Sequence, residues 1–438
     1  MMLILRLLLF FAIVFVSIIA SSTSSASVLA AESKIFNVQN FGAFADGLTD
    51  STAAIQRAVD HAALKRGIVL IPAGTYILEG TVALKSNVRI IGEGQHSILK
   101  KKSAGNMMTA IGNIKRSNII IEKLTFDIDY QPAASGILLS YVTNVKIIDC
   151  QFLNTTMWGV FLGSMDGTDP KIRNSNVTIQ GCLFDGLAKT YEHFLILNSK
   201  NVHVKNSIFK NGADGNGIGI YQNARNVSVD HCVFAQMNTG LYYSLSTDQI
   251  TVNRSLFSDN NSGMKGANLS DNGAFGRTQA KSIKVIQTTF TRNIMALRLG
   301  AIVNGIVADC KFERNLKNAL VISEGHSVIN SPSTNIIVIR NTFRDNNQHR
   351  TASILHAAIM VTGFSGNINL LIDRNLFIDE QENPSQLYPI SFVGPYHWNG
   401  IIVKNSALNA YSGAESIGVT GGATFGRRFY VANRTQID

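Results

Sequence analysis

Ten times between residues 118 and 377 one phrase recurs in fixed internal register: a polar residue, usually Asn, opens an alternating run, and a Phe follows eight positions later. The pairs are Asn118/Phe126, Asn144/Phe152, Asn176/Phe184, Asn201/Phe209, Asn226/Phe234, Gln249/Phe257, Ser282/Phe290, Asn304/Phe312, Asn335/Phe343 and Asn369/Phe377. The spacing between copies varies from 22 to 34 residues, so the unit is constant and one connecting loop absorbs the difference. Within a copy, as from Asn201 to Phe209 (NVHVKNSIF), apolar residues alternate, which is the period of a strand. One copy cannot bury its apolar side alone, but stacked copies can, with identical positions forming ladders. The expected fold class is all-β, a parallel β-solenoid of about ten to twelve turns.

All four cysteines fall in one column of this repeat, six after the opening residue: Cys150, Cys182, Cys232 and Cys310, together with Ser207, Ser255 and Thr288. That is the pattern of small residues at a tight inner corner and not of a zinc site. Cys150 and Cys182 lie on adjacent turns, within reach of a disulfide in an oxidising compartment; Cys232 and Cys310 are three turns apart and are not. The open end of a solenoid needs a cap. Residues 51–66 supply one, with Ala54, Ile55, Ala58, Val59, Ala62 and Ala63 on one helical stripe, Asp50 as N-cap and Gly67 as stop.

Arg6, the apolar run Leu7 to Ala20, a small polar stretch, and then Val28 and Ala30 read as a secretory signal peptide cut after Ala30 or Ala31. The expected organisation is a signal peptide over 1–30, an N-terminal cap segment over 31–80, the β-helix over 81–410 and a C-terminal tail or cap over 411–438. No second apolar run is long enough to span a bilayer, so the mature chain is expected to be secreted or periplasmic and free of the membrane. Hydrophobic residues are 45% and charged residues 16%, which excludes disorder as the main state. Lys+Arg minus Asp+Glu is 39 − 29 = +10, so an anionic partner is expected.

The stretch from Asn37 to Gln56 (NVQNFGAFADGLTDSTAAIQ), followed by Ile71 to Tyr76 (IPAGTY), resembles the N-terminal signature of the pectate lyase superfamily. Ala45 and Ser51 depart slightly from its usual Gly and Asp. The superfamily groups secreted right-handed parallel β-helix enzymes: pectate lyases, polygalacturonase-like hydrolases, alginate lyases and mannuronan C5-epimerases, with phage tailspikes. The resemblance implies a right-handed helix and a polysaccharide bound along one long face; it does not choose the reaction.

It also implies a groove along the strand that follows the variable loop. Three consecutive turns align there without gaps, as Gly240 to Ser244, Gly263 to Ala267 and Ala296 to Gly300. Leu241, Met264 and Leu297 then point inward, and the next residues, Tyr242, Lys265 and Arg298, point outward. The following outward positions, Ser244, Ala267 and Gly300, are small. Earlier turns offer Phe161 and Phe194 in the same column, then Gly219 with Tyr221 beside it. Aromatic rings beside cations suit a chain of acidic sugars. The competing reading is a row of plain surface side chains on a basic protein.

On an acidic polysaccharide, Arg298 would neutralise the uronate carboxylate, Lys265 would act as base with its pKa depressed by charge and desolvation, and Tyr242 would protonate the leaving oxygen, or the last two would exchange roles. Elimination and C5 epimerisation share this first half. A hydrolase needs paired carboxylates. Glu192 and Asp214 are the best available, but the motifs that the resemblance would require of polygalacturonases are missing, and Gly325 and His326 are only a partial echo. The segment Lys189 to His193 (KTYEH) places Tyr191, Glu192 and His193 just before a groove strand and is partly similar to the Asp-Pro-His-Glu site of mannuronan epimerases, without its order or its Pro. His193 has the alternative of being a core histidine. Arg277, in a loop over 268–281, would wall the late turns, as would His356 and its neighbours over 344–356. No metal is expected: calcium-dependent lyases need clustered carboxylates, and the row has none. Nucleic acid is not expected as a partner of a secreted sugar-binding fold. Hydrolysis and a non-catalytic carbohydrate-binding solenoid remain as alternatives.

Overall fold

The polar residue that heads each copy is where the chain bends. In the computed structural model, Asn118, Asn144, Asn176, Asn201, Asn226, Asn304, Asn335 and Asn369 all lie in the left-handed region, with φ between 45° and 65°. Asn tolerates that conformation because its short polar side chain can bond locally. Here it bonds along the stack: Asn144 Nδ2 donates to Asn118 Oδ1 (3.3 Å), Asn176 to Asn144 (3.1 Å), Asn201 to Asn176 (2.9 Å) and Asn226 to Asn201 (2.8 Å).

The structure describes residues 34–431 apart from 164–173, 189–190, 245, 267–277, 324–332, 349–356, 364–365, 382–387, 406–407, 410–416, 421–423 and 426–428. Residues 35–438 form one compact unit. The expected signal peptide lies outside the described residues, as do Lys189, Thr190, Arg277, His326 and His356.

Most coils contribute three strand segments, as in Asp248–Asn253, Leu256–Ser258 and Ser262–Gly266; in two coils the second and third run on as one strand, Ile208–Tyr221 and Val233–Tyr243. The first joins a 16-stranded sheet and the other two a 25-stranded sheet, all in parallel register, in a right-handed β-helix. The register is that of the repeat: Phe209 pairs with Phe234, Phe234 with Phe257 and Phe257 with Phe290. Inside, ten rings from Phe126 to Phe377 stack with centroids 4.6–5.0 Å apart and planes within 11°. Each ring is fully buried, worth roughly 1.5–3 kcal/mol apiece.

The Cys column is internal, as expected. All four cysteines are buried and free. Each Sγ donates to the carbonyl two residues earlier, as Cys182 does to Gln180 at 3.4 Å.

The cap helix runs Thr52–Lys65. Its N-cap residue is Ser51, one later than expected, but Asp50 still accepts the Thr52 amide at 3.0 Å. Ala54, Ile55, Ala58, Val59 and Ala62 are buried against the first coil, and Arg66, not Gly67, takes the left-handed terminus.

Candidate active site

The Phe ladder dictates what the groove strands can carry. A Cβ on Gly217, Gly240 or Gly263 would stand 2.6–2.8 Å from the ring of Phe234, Phe257 or Phe290, so a side chain at any of the three would force its ring to move. Two residues on, side chains must turn outward. There Gly219 pairs with Tyr242, Tyr242 with Lys265 and Lys265 with Arg298. Leu241, Met264 and Leu297 between them are fully buried. The expected row therefore exists: phenol, ammonium and guanidinium on three successive strands, about 4.8 Å apart at the backbone. Arg298 is held by donation from Nε to Ser323 Oγ at 3.0 Å, and Tyr242 is 8% exposed.

The same column continues in the other direction as Leu195, Phe161 and Leu138. Phe161 stands where expected; Phe194 does not. Phe194 pairs with Val160 and Ile218 and is wholly internal, so Leu195 holds the outward place. Leu138, Phe161, Leu195 and Leu197 form a small apolar cluster on the outer face, with Trp158 and Tyr221 against it. The Phe161 ring lies 4.7 Å from that of Trp158 and is 3% exposed, so it supports the face and offers no open ring to a sugar.

Gly219 leaves a gap in the column, and two expected residues fill it. A Cβ there would meet Tyr221 Cε2 at 2.4 Å and Glu192 Cγ at 2.7 Å. Glu192 is buried and fully engaged: Tyr221 Oη donates to Oε1 (2.6 Å), Asn216 Nδ2 to Oε1 (3.3 Å) and Trp158 Nε1 to Oε2 (3.1 Å). Burial raises the Glu192 pKa, and these three donors oppose the rise. The Tyr221 ring in turn lies 5.4 Å from Tyr242, and Tyr191 packs edge-on to Trp158 at 5.5 Å. One connected surface thus runs from Trp158 and Glu192 through Tyr221 to Tyr242, Lys265 and Arg298.

Two expected site residues stand apart. His193 is a core residue. It occupies the position that Gly159 and Gly217 hold on neighbouring coils, one before the paired Phe194, and packs between Phe184 and Phe209 with centroids 5.9 and 6.5 Å away. Its Nε2 meets the Lys210 carbonyl at 3.1 Å, its Nδ1 has no hydrogen-bond partner among the described residues, and burial pulls its pKa down to about 4. Asp214 is exposed on an irregular part of the strand Ile208–Tyr221, between Gly212 and Asn216, and makes no hydrogen bond or ion pair among the described residues. Trp158, Asn216 and Ser323 belong to the surface without having been singled out from the sequence. The Trp could have been, since the chain has only two. No group of three or more His, Cys, Asp or Glu among the described residues is placed to hold a metal ion.

Residues 35–268 match the family described as "Rhamnogalacturonase A/epimerase, pectate lyase-like". Over 106 residues the chain is 37% identical to mannuronan C5-epimerase AlgE1 of Azotobacter vinelandii, a match covering 21% of this chain and 8% of that protein. Over 91 residues it is 39% identical to alginate lyase 7 of the same organism, covering 19% of this chain and 11% of the lyase. The matches therefore span about a tenth of the length of these curated relatives. The A-module of the A. vinelandii mannuronan C-5 epimerase AlgE6 has the same fold, with a TM-score of 0.59 at 15% identity over 89% of this chain and 99% of the module.

Proposed function

We propose, for a chain that belongs to the rhamnogalacturonase A/epimerase, pectate lyase-like family, that it abstracts the C5 proton of a uronate in an acidic polysaccharide. The observation that carries this reading is the unbroken register of Tyr242, Lys265 and Arg298. C5–H is a weak acid because the electron pair left behind must enter a carboxylate that is already charged. The Arg298 guanidinium would meet both carboxylate oxygens and stabilise the enolate-like intermediate. Tyr242 or Lys265 takes the proton, and the other faces the opposite side of the reacting carbon or its leaving oxygen. In elimination the C4–O bond then breaks and the departing oxygen is protonated. In epimerisation the C5–H bond re-forms on the other face. Tyr221, tied to Glu192, packs against Tyr242 and positions it. The names of two relatives, an epimerase and an alginate lyase, fit the two fates of this one intermediate.

Hydrolysis is the weaker alternative. It asks for two carboxylates across the scissile bond, and here Glu192 is buried under three donors while Asp214 is exposed and unengaged among the described residues. A carbohydrate-binding role without turnover is the other. The proposal includes export by the leader over 1–30, which N-terminal sequencing of the protein recovered outside the cytoplasm would test. The chemistry is tested by incubation with alginate, polygalacturonate and glycosaminoglycans. Ultraviolet absorbance of an unsaturated uronate marks the lyase, and a changed uronate ratio by NMR marks the epimerase. New reducing ends without unsaturation would mark a hydrolase, and retention of the polymer without any product a binding protein.

A further inference from the structure

We propose that the outer face of the 16-stranded sheet is a second binding track, which holds an extended polyanionic polysaccharide away from the row of Tyr242, Lys265 and Arg298. That the polyanion is a polysaccharide rests in part on the reading above; the track itself rests on separate observations.

Parallel register stacks the outward residues of this sheet into columns. One column runs through Lys146, Thr178, His203, Ser228, Thr251 and Lys284. At the strand spacing of the sheet this stretch is roughly 24 Å long. Three depressions of about 440, 400 and 400 Å³ open along it. The first two share Thr178 and His203 and the last two share Thr251, so they form one trough. Its middle is floored by short hydroxyl side chains, with His203 Nδ1 2.7 Å from Ser228 Oγ, and a lysine stands at each end. The Asn ladder lines one side, with Asn118, Asn144 and Asn176 bordering the first depression.

Charge decides the occupant. Lys146, Lys200, Lys205, Arg225, Lys281 and Lys284 stand exposed on these strands, and none makes an ion pair among the described residues. Of the carboxylates on the same strands, Glu122 is engaged by Arg89 and Asp230 by Arg254, which leaves Asp248. Six cations against one carboxylate is a field for a polyanion. The strands from Arg116–Glu122 to Ile302–Ala308 carry no Phe, Tyr or Trp. Bases of a single-stranded nucleic acid would find no Phe, Tyr or Trp to stack on and only the His203 ring, whereas hydroxyl, amide and imidazole groups match the hydroxyls of a sugar chain. A polymer held here stays attached while another stretch of it is processed on the other sheet, which raises its effective concentration at the row.

The test is affinity electrophoresis of the purified protein through gels containing sodium alginate, polygalacturonate or heparin, with dextran and double-stranded DNA as comparators. Wild type is expected to be retarded by at least one of the three polyanionic polysaccharides and not by dextran, and the retardation should weaken with salt. The Lys146→Glu/Lys284→Glu variant should bind about tenfold more weakly, and Tyr242→Phe should bind as wild type does. Lys200→Glu/Lys205→Glu is the second variant, should the first prove unstable. No retardation of wild type by any of the three, unchanged retardation of the charge-reversed variants, or equally tight binding of DNA would each overturn the track. Because mobility is read without turnover, a protein with no detectable product still tests the track, and loss of the track leaves the proposed chemistry standing.

Discussion

The Tyr221 hydroxyl donates to Glu192 Oε1 at 2.6 Å, from one coil to the coil before it, across the gap that Gly219 leaves in the groove column. Burial raises the carboxyl pKa, and the Tyr221 bond is the largest of the influences that lower it again. Tyr221→Phe leaves a buried oxygen short of a donor, and the expected loss is about 1–3 kcal/mol of stability. Denaturant unfolding checks this; an unmoved midpoint would show that the bond does not hold the face together.

The row makes a sharper demand. Tyr242→Phe, Lys265→Ala and Arg298→Ala are each expected to lower kcat by about 10²–10⁴-fold on the polymer that proves to be the substrate. Arg298→Lys should not restore it, because a point charge cannot meet a carboxylate with two parallel bonds. Full turnover in both Lys265→Ala and Arg298→Ala would remove the site assignment.

His193 gives stability an acid limb. Burial is the main cause that depresses its pKa from 6.5 to about 4, so the unfolded chain takes up a proton in that interval that the folded chain refuses. Its contribution is complete above pH 6.5 and is lost as pH falls towards 4, by ~3 kcal/mol at most. Glu192, with a raised pKa, acts in the opposite sense: its contribution is present at low pH and lost as pH rises through its folded value. His193→Leu should flatten the fall in Tm between pH 6.5 and 4. A Tm–pH curve that keeps its wild-type shape would show that this imidazole is not its source.

Burial pushes the thiols of Cys182, Cys232 and Cys310 up to about 12 and that of Cys150 well above its ordinary value. The folded protein should ignore a thiol reagent at neutral pH, while the denatured protein should titrate four thiols. A count of two would reveal a disulfide, with Cys150 and Cys182 the first pair to examine.

Phe234 touches a ring on each side, at 5.0 and 4.6 Å. Phe234→Ala is expected to cost about 3–5 kcal/mol, read by denaturant unfolding. A loss under about 1 kcal/mol would mean that the coils close over the cavity.

Much of this is legible in the sequence. The Phe spacing predicts the ladder and its register, and register carries Tyr242, Lys265 and Arg298 onto one line, because a period of two assigns each residue a side once a neighbour's side is known. Phe194 is the exception: a loop of different length precedes its strand and shifts it by one residue, and a shift of one exchanges inside for outside. His193 and Phe161 show another limit. A histidine in the glycine column, closed in by Phe184 of its own coil and Phe209 of the next, and an outward Phe lying under Trp158 of its own coil, are both covered by neighbours that alternation does not place.

The chain's own periodicity decided that it winds, which residues stack, and which three polar groups share a line, since those follow from short-range alternation repeated without error. Tertiary structure alone decided that Glu192 is buried under Trp158, Asn216 and Tyr221, that Tyr221 leans on Tyr242, and that the cations of the other sheet border a trough. Those outcomes depend on how long side chains from different coils fill the space above small residues such as Gly219, and that space exists only once the coils are stacked.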